Sequence, residues 1–383
     1  MIGRTASGPS VSAIAMSTTI PFMSLVPGDD AADIRAAIDR VIASGWFVLG
    51  PELAAFEREF ADASGAAFAI GVGTGTDAIA LTLRALGIGP GDEVITTPLS
   101  AAYTALAVMM AGATPVFADI DPDRLTIDPA AVEAAVTPRT AAILPVHLYG
   151  QPADMPRLAA IATRHGLTIV EDSCQAHLAT CEGRPVGSVG AAAAFSFYPT
   201  KNLGALGDAG AVTTSDAALA DRLVRLRNGG QTDRYHHQDA GWNSRLDELQ
   251  AAILRVRLAR LPARTARRRA LAARYRAGLA STSVTVPPLC EAGHVHHLFP
   301  VLVRDRAGFM AHLDREGIRT IVHYPIPIPR QPALEGLAVP DACPVADRVC
   351  QEICSLPLHP DLTDADVDTV VAAVARWPGP VSP

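Results

Sequence analysis

Apolar and polar positions along the chain fall into two alternating patterns. Residues 29–44, DDAADIRAAIDRVIAS, carry apolar side chains at helical spacing behind an acidic start, which predicts an amphipathic helix. Residues 66–72, AAFAIGV, form a short apolar run that reads as a strand, and 73–87, GTGTDAIALTLRALG, open a helix that stops at a glycine. The alternation continues with a strand in DEVITTP (92–98), a helix in AAYTALAVMMAGA (101–113) and a strand in TPVFADI (114–120). AAILPVHLYG (141–150) and LTIVEDS (167–173) are two more near-continuous apolar runs. Strands apolar on both faces and separated by helices predict an α/β fold around a mostly parallel sheet.

The pattern changes near Pro262. Beyond it come the apolar run HLFPVLV (297–303), a helix around AGFMAHLDREG (307–317), the proline-rich loop HYPIPIPRQP (323–332) and a last helix DADVDTVVAAVARW (364–377). This predicts a large α/β domain over 21–262 and a smaller C-terminal α+β domain over 263–383. Residues 1–20 are rich in Ser, Thr and Ala, lack the apolar region of a signal peptide and read as a flexible tail.

With 383 residues, 49% of them hydrophobic, the chain has enough apolar material for a sizeable core. A net charge of −7 gives no global reason to expect nucleic acid or an anionic membrane as a partner. The one basic run, RVRLARLPARTARRR (255–269), reads as a solvated helix face. No run of about 18 apolar residues predicts a membrane span. Six cysteines stand at 174, 181, 290, 343, 350 and 354 without a C-x-x-C pair or zinc-like spacing. They read as reduced thiols of a cytoplasmic protein, and no metal site is expected.

One residue stands out against this composition. Of 32 Lys and Arg residues, 31 are Arg, and the single lysine is Lys201 in SFYPTKNLGALGDAG (196–210). No other charged residue lies between Arg184 and Asp208. A lysine in low-charge surroundings loses solvation and its pKa falls. A neutral amine attacks a carbonyl, which a guanidinium does not. The alternative is a solvent-exposed side chain on a glycine-rich loop.

Two further features fall where strand ends meet the next element, the usual ligand position in open α/β sheets. GVGTGTDA (71–78) places a glycine-rich turn before a helix, whose free N–H groups favour a phosphate; the plain reading is a tight turn capped by Thr74 or Thr76. LTIVEDSCQAH (167–177) delivers Glu171 and Asp172 to a strand end, either as a helix cap or ion pair or as an acid facing a cationic ring nitrogen. A phosphate cradle, an acid and a nucleophilic lysine together suit pyridoxal 5′-phosphate (PLP), which has a phosphate, a pyridine nitrogen that must stay protonated, and an aldehyde.

Over about residues 20–375 the chain resembles the DegT/DnrJ/EryC1/StrS family of sugar aminotransferases. The likeness is carried by SGWFVLGPE (44–52), GTGTDAIAL (73–81), GDEVITTP (91–98), GATPVFADID (112–121), PVHLYGQPADM (145–155), EDSCQAH (171–177), FSFYPTKNLGALGDAG (195–210), RLRNGG (225–230), NSRLDELQAAIL (243–254) and HYPIPI (323–328). The resemblance implies the type I PLP fold, that of aspartate aminotransferase. It implies Lys201 as the lysine that bonds the cofactor and shuttles protons, Asp172 as partner of the pyridine nitrogen, and Gln175 beside the ring and its 3-oxygen. Thr74, Gly75, Thr76 and Ser196 are implied as phosphate binders. Asn228 would reach a phosphate in the neighbouring subunit of a homodimer. Tyr103, Tyr198, His323 and Tyr324 are placed at the substrate.

The chain departs from the family pattern twice. Ala101 stands where many members stack an aromatic ring on the cofactor, and Pro329 where many have a histidine after HYP-x-P-x. The implied reaction moves an amino group from an amino acid, L-glutamate in most members, to a keto-sugar on a nucleotide diphosphate, a 3-keto-6-deoxyhexose by its HYPIPI motif. The alternatives are a keto-inositol aminotransferase, a PLP-dependent sugar dehydratase, a non-catalytic regulator on the same fold, and a nucleotide-sugar binder using the basic run. Family dehydratases carry His in place of the lysine, and Lys201 speaks against that variant.

Overall fold

A computed structural model describes residues 19–335 and 343–379. Its centre is a seven-stranded sheet made of β1 (Phe68–Val72), β2 (Glu93–Thr96), β3 (Thr114–Phe117), β4 (Thr140–Leu144), β5 (Thr168–Asp172), β6 (Ala192–Ser196) and β7 (Gly210–Thr214). The order across the sheet is β1-β7-β6-β5-β4-β2-β3. All neighbours are parallel except β7, which runs antiparallel to both β1 and β6. Five of these strands follow the apolar runs of the sequence. The other two, AAAFS and GAVTT, are built mostly of small and polar residues around the single large Phe195, yet β7 is buried throughout and β6 at all but its last residue.

Helices cover both faces of the sheet. On one face α3 (Gly75–Ala85) buries eight of its 11 residues against the strands, as expected of a helix apolar nearly all round. On the other, α5 (Pro129–Ala135) and α6 (Met155–His165) close a second core around Ile95, Ile143 and Ile169. Of the remaining helices before α9, α1 (Ala31–Ser44) and α2 (Pro51–Ser64) pack on α8 (Glu248–Leu258), while α4 (Tyr103–Met110) and α7 (Ala217–Leu226) flank α3. Glu248 fixes the start of α2 by accepting the N–H groups of Gly50, Glu52 and Leu53.

Helix α9 (Leu261–Leu279) follows α8 directly and carries the chain into a separate core. There Leu271, Tyr275 and Leu279 meet α10 (Arg306–Arg315), α12 (Asp364–Ala375) and the antiparallel pair of β8 (Phe299–Leu302) and β9 (Ile353–Leu356); α11 (Pro344–Glu352) leads into β9. The tail expected over 1–20 lies outside the described residues as far as 18. Its last residue is not free, since Ile20 is buried in this core and bridges Ile318.

The basic run is not a solvated face. It is split between α8 and α9, and its guanidinium groups, half-buried for the most part, bind other parts of the chain. Arg255 pairs with Glu52 and Glu59, Arg257 with Asp30, and Arg260 with Asp33. Arg268 is buried and donates to the carbonyls of His296, His297 and Leu358. The run fastens the first helix and the C-terminal layer to the sheet. All six cysteines are free thiols. Among the described residues no helix is long and apolar enough to cross a membrane, and no cluster of three or more His, Cys, Asp or Glu residues has the geometry to hold a metal ion.

Candidate active site

Strand β5 ends in two carboxylates, and strand alternation sends them to opposite sides. Glu171 is wholly buried. It accepts the N–H groups of Gly187, Val189 and Gly190 and pairs with His147 Nε2 at 2.9 Å. The Ala153 N–H donates to His147 Nδ1, so Nε2 carries the hydrogen that faces Glu171. Asp172 is fixed differently. Thr104 Oγ1 donates to its Oδ2 at 2.8 Å and the Cys174 N–H to its Oδ1 at 3.1 Å.

Lys201 sits on the loop between β6 and β7, on the same side as Asp172. Burial lowers its pKa, outweighing the nearby Asp172 and Cys174, whose charges act to raise it. Among the described residues its side chain makes no ion pair. The surrounding imidazoles are neutral: burial and the Lys201 charge push His177 down to about 3 and His323 to about 4. Asn202, the next residue, is held by Val295 O and by His297 Nδ1.

The glycine-rich turn lies against the base of the lysine loop. Thr74 is the N-cap of α3, accepting the Asp77 N–H at 3.0 Å. Thr76 therefore enters the helix rather than capping it, and the N–H groups of Gly75 and Thr76 in the first turn have no helical acceptor. A Cβ on Gly75 would stand 2.7 Å from Ser196 Cβ and 2.8 Å from Cys174 Sγ; one on Gly210 would stand 2.4 Å from the Thr74 carbonyl. Ser244, not singled out in the sequence, braces the turn by accepting the Gly73 N–H and donating to Asp77.

Gln175 completes the wall: its Oε1 accepts the Tyr149 N–H at 2.8 Å and its Nε2 donates to Tyr324 Oη at 3.0 Å. His323 Nδ1 lies 3.0 Å from Ser355 Oγ. Thr74, Gly75, Thr76, Asp172, Gln175, Ser196, Lys201, His323 and Tyr324 thus converge from five segments of the chain. Tyr103 and Tyr198 are exposed in the single chain, at 66% and 51%. The Asn228 side chain turns to Arg245 at 2.9 Å, and its backbone bridges Asn243. The position of Ala101 carries no ring. Thr104, Tyr149, His177 and Ser244 are structural parts of the site that sequence reasoning missed. A clue to Thr104 lay in its place three residues after Ala101, in the segment that follows β2.

The residues present fit PLP. Helix N–H groups and hydroxyls stand ready for a dianion on a floor that admits no side chain, a fixed carboxylate faces the site, and the amine is desolvated. The fold and this arrangement define a PLP-dependent aminotransferase of the type I fold. A model of the DegT/DnrJ/EryC1/StrS aminotransferase family matches residues 29–375, and the chain belongs to that family. It is 48% identical over 366 residues to a dTDP-3-amino-3,4,6-trideoxy-alpha-D-glucose transaminase of Streptomyces venezuelae, covering 94% of this chain and 96% of the relative. Among solved structures, S. venezuelae DesV in complex with a ketimine intermediate superposes with a TM-score of 0.92 at 48% identity, over 95% of this chain and 100% of that one. NtdA from Bacillus subtilis with bound pyridoxamine phosphate superposes with a TM-score of 0.86 at 34% identity, over 93% and 84%.

Proposed function

We propose that this protein transfers the amino group of an amino acid, L-glutamate, to C3 of a nucleotide-diphosphate-linked 3-keto-6-deoxyhexose. The observation that carries the reading is the single lysine, desolvated beside Asp172 in a chain alike over nearly its full length to a transaminase named for a 3-amino sugar. The acceptor must be a ketone, because an alcohol forms no imine.

Each residue has a task that its surroundings support. Lys201 would hold the cofactor aldehyde through its amine and would move a proton at the substrate carbon, work worth about 10²–10⁴-fold. Asp172, oriented by Thr104 and the Cys174 N–H, would keep the pyridine nitrogen protonated. Thr74, Gly75, Thr76 and Ser196 receive the phosphate. Gln175 would stand beside the cofactor, and His323, Tyr324, Tyr103 and Tyr198 would line the substrate's place. When bound, PLP supplies the electron sink for the carbanion formed at the substrate carbon.

The active unit is a homodimer in which Asn228 reaches the phosphate of the neighbouring subunit. Trp46 and Phe47, at 56% and 50% exposed, and the exposed Tyr103 and Tyr198 form apolar surface that a second copy would cover. A fully active monomer in a sizing experiment coupled to assay would refute the shared site.

Borohydride reduction followed by intact mass and peptide mapping tests the core of the reading. A pyridoxyl-phosphate adduct on the Lys201 peptide is expected. Its absence after adding PLP would favour a regulator without catalysis. A panel of 3-keto and 4-keto nucleotide sugars and a keto-inositol then separates the acceptors. Loss of water from the sugar without amine transfer would identify a dehydratase.

A further inference from the structure

Tyr149 is engaged at every polar atom. It lies in the turn Leu148–Gly150 with a positive φ of 59° and is 2% exposed. Its N–H donates to Gln175 Oε1 at 2.8 Å, its hydroxyl donates to the His323 carbonyl at 2.5 Å, and its carbonyl accepts the His297 N–H at 2.8 Å. One buried residue therefore ties together the segments that carry Gln175, His323–Tyr324 and, through His297 and Asn202, the neighbour of Lys201.

The first of these bonds sets a direction. A backbone N–H only donates, so the end of the Gln175 amide that faces it is the oxygen. The amino end then faces Tyr324 Oη at 3.0 Å and donates to it. The Tyr324 oxygen is an acceptor in that bond, and its own hydrogen is left to donate elsewhere. Among the described residues no acceptor takes it. The second bond holds the backbone from which the Tyr324 ring projects. Burial, with the Gln175 bond opposing it and the charges of Asp172 and Cys174 adding to it, pushes the Tyr324 hydroxyl up to about 12, so it stays protonated.

We propose that Tyr149 is a positioning residue for transamination: by holding Gln175 and the His323 backbone it makes the Tyr324 hydroxyl a one-way hydrogen-bond donor to an oxygen of the bound substrate. The inference rests on the aminotransferase reading and is independent of which sugar is the acceptor. Tyr149 acts through Tyr324, so its contribution should vanish where the Tyr324 hydroxyl is gone.

A double-mutant cycle tests this in the PLP-loaded protein, with the L-glutamate half-reaction followed as loss of the cofactor's visible band. Tyr149→Phe is expected to lower kcat/KM about 10-fold and Tyr324→Phe about 100-fold, while the double variant falls no further than Tyr324→Phe. The affinity for PLP itself, measured by equilibrium dialysis, stays within about threefold in all three variants, because the donor serves the substrate. Gln175→Glu gives the Tyr324 hydrogen an acceptor and should reproduce the Tyr324→Phe loss. A double variant that falls by the product of the two single losses, or an unchanged Tyr149→Phe, would overturn the proposal. So would a Gln175→Glu protein as active as wild type, or a Tyr324→Phe protein that has lost PLP affinity. A wild-type protein that turns over no amino donor would overturn the functional reading and this inference with it.

Discussion

Glu171 and Asp172 are adjacent on one strand and do unrelated work. Glu171 points into the protein, where three backbone N–H groups and His147 satisfy it, while Asp172 points into the site. Glu171→Gln should therefore destabilise the fold by about 3 kcal/mol with little change in PLP affinity. Asp172→Asn should leave the melting temperature nearly unchanged and lower turnover by about 10²–10³-fold. Burial acts to raise the Glu171 pKa, but its bonds to His147 and the backbone hold it below the ordinary value. The stability Glu171 contributes is therefore present above the usual glutamate range and is lost as pH falls through the lowered value. Thermal melts across pH should show the gap between wild type and Glu171→Gln widest near neutrality and closing in acid.

Thr104 orients Asp172 from the start of α4, so its hydroxyl matters beyond its methyl group. Thr104→Val keeps the volume and removes the donor. The expected result is a fall in kcat/KM of about 10-fold, equivalent to about 1.4 kcal/mol, with an intact fold. Steady-state kinetics beside circular dichroism checks it. Unchanged kinetics would mean that the Cys174 N–H alone positions the carboxylate.

The lowered pKa of Lys201 has a kinetic signature. In protein stripped of cofactor, the rate of PLP attachment rises with pH as the amine loses its proton. It should level off below the ordinary lysine value of about 10.4. Asp172 acts to raise that pKa, so Asp172→Asn should move the plateau to still lower pH. Stopped-flow absorbance of the forming visible band measures both, and a plateau at the ordinary value would show that the amine is solvated.

Gly75 is required for want of space rather than for a special dihedral angle. A methyl group there meets Ser196 and Cys174 well inside contact distance. Gly75→Ala should weaken PLP binding by about 10-fold or more, read by equilibrium dialysis, because the turn must move off the base of the lysine loop.

The sequence made the sheet legible wherever strands were written in Ile, Val and Leu, as in β2, β4 and β5. It hid β6 and β7, because AAAFS and GAVTT owe their burial to the helices over them and not to apolar bulk. Lys201, Asp172 and Gly75 were legible because each is chemically conspicuous in its motif. Thr104 and Tyr149 were not, since a hydroxyl and an aromatic ring look alike in a core and in a site until the partner across space is known. The arginines from 255 to 269 misled for a related reason. A run of cations reads as solvated when the carboxylates and carbonyls that receive them lie up to 235 positions away in sequence.

Ser196 and Gly210 are register partners on β6 and β7, the last rung of four between these strands, so the segment carrying Lys201 is a long hairpin. That rung also touches the glycine turn at both of its residues. The reactive amine thus rides on a cassette whose hinge is welded to the phosphate seat, and whose arc is anchored by Phe197, Leu203, Ala205 and Ala209 in the core shared with Phe195 and Ala211. A change of length within 197–209 would therefore disturb the core and the lysine together, so new acceptors are better sought by substitutions outside this segment.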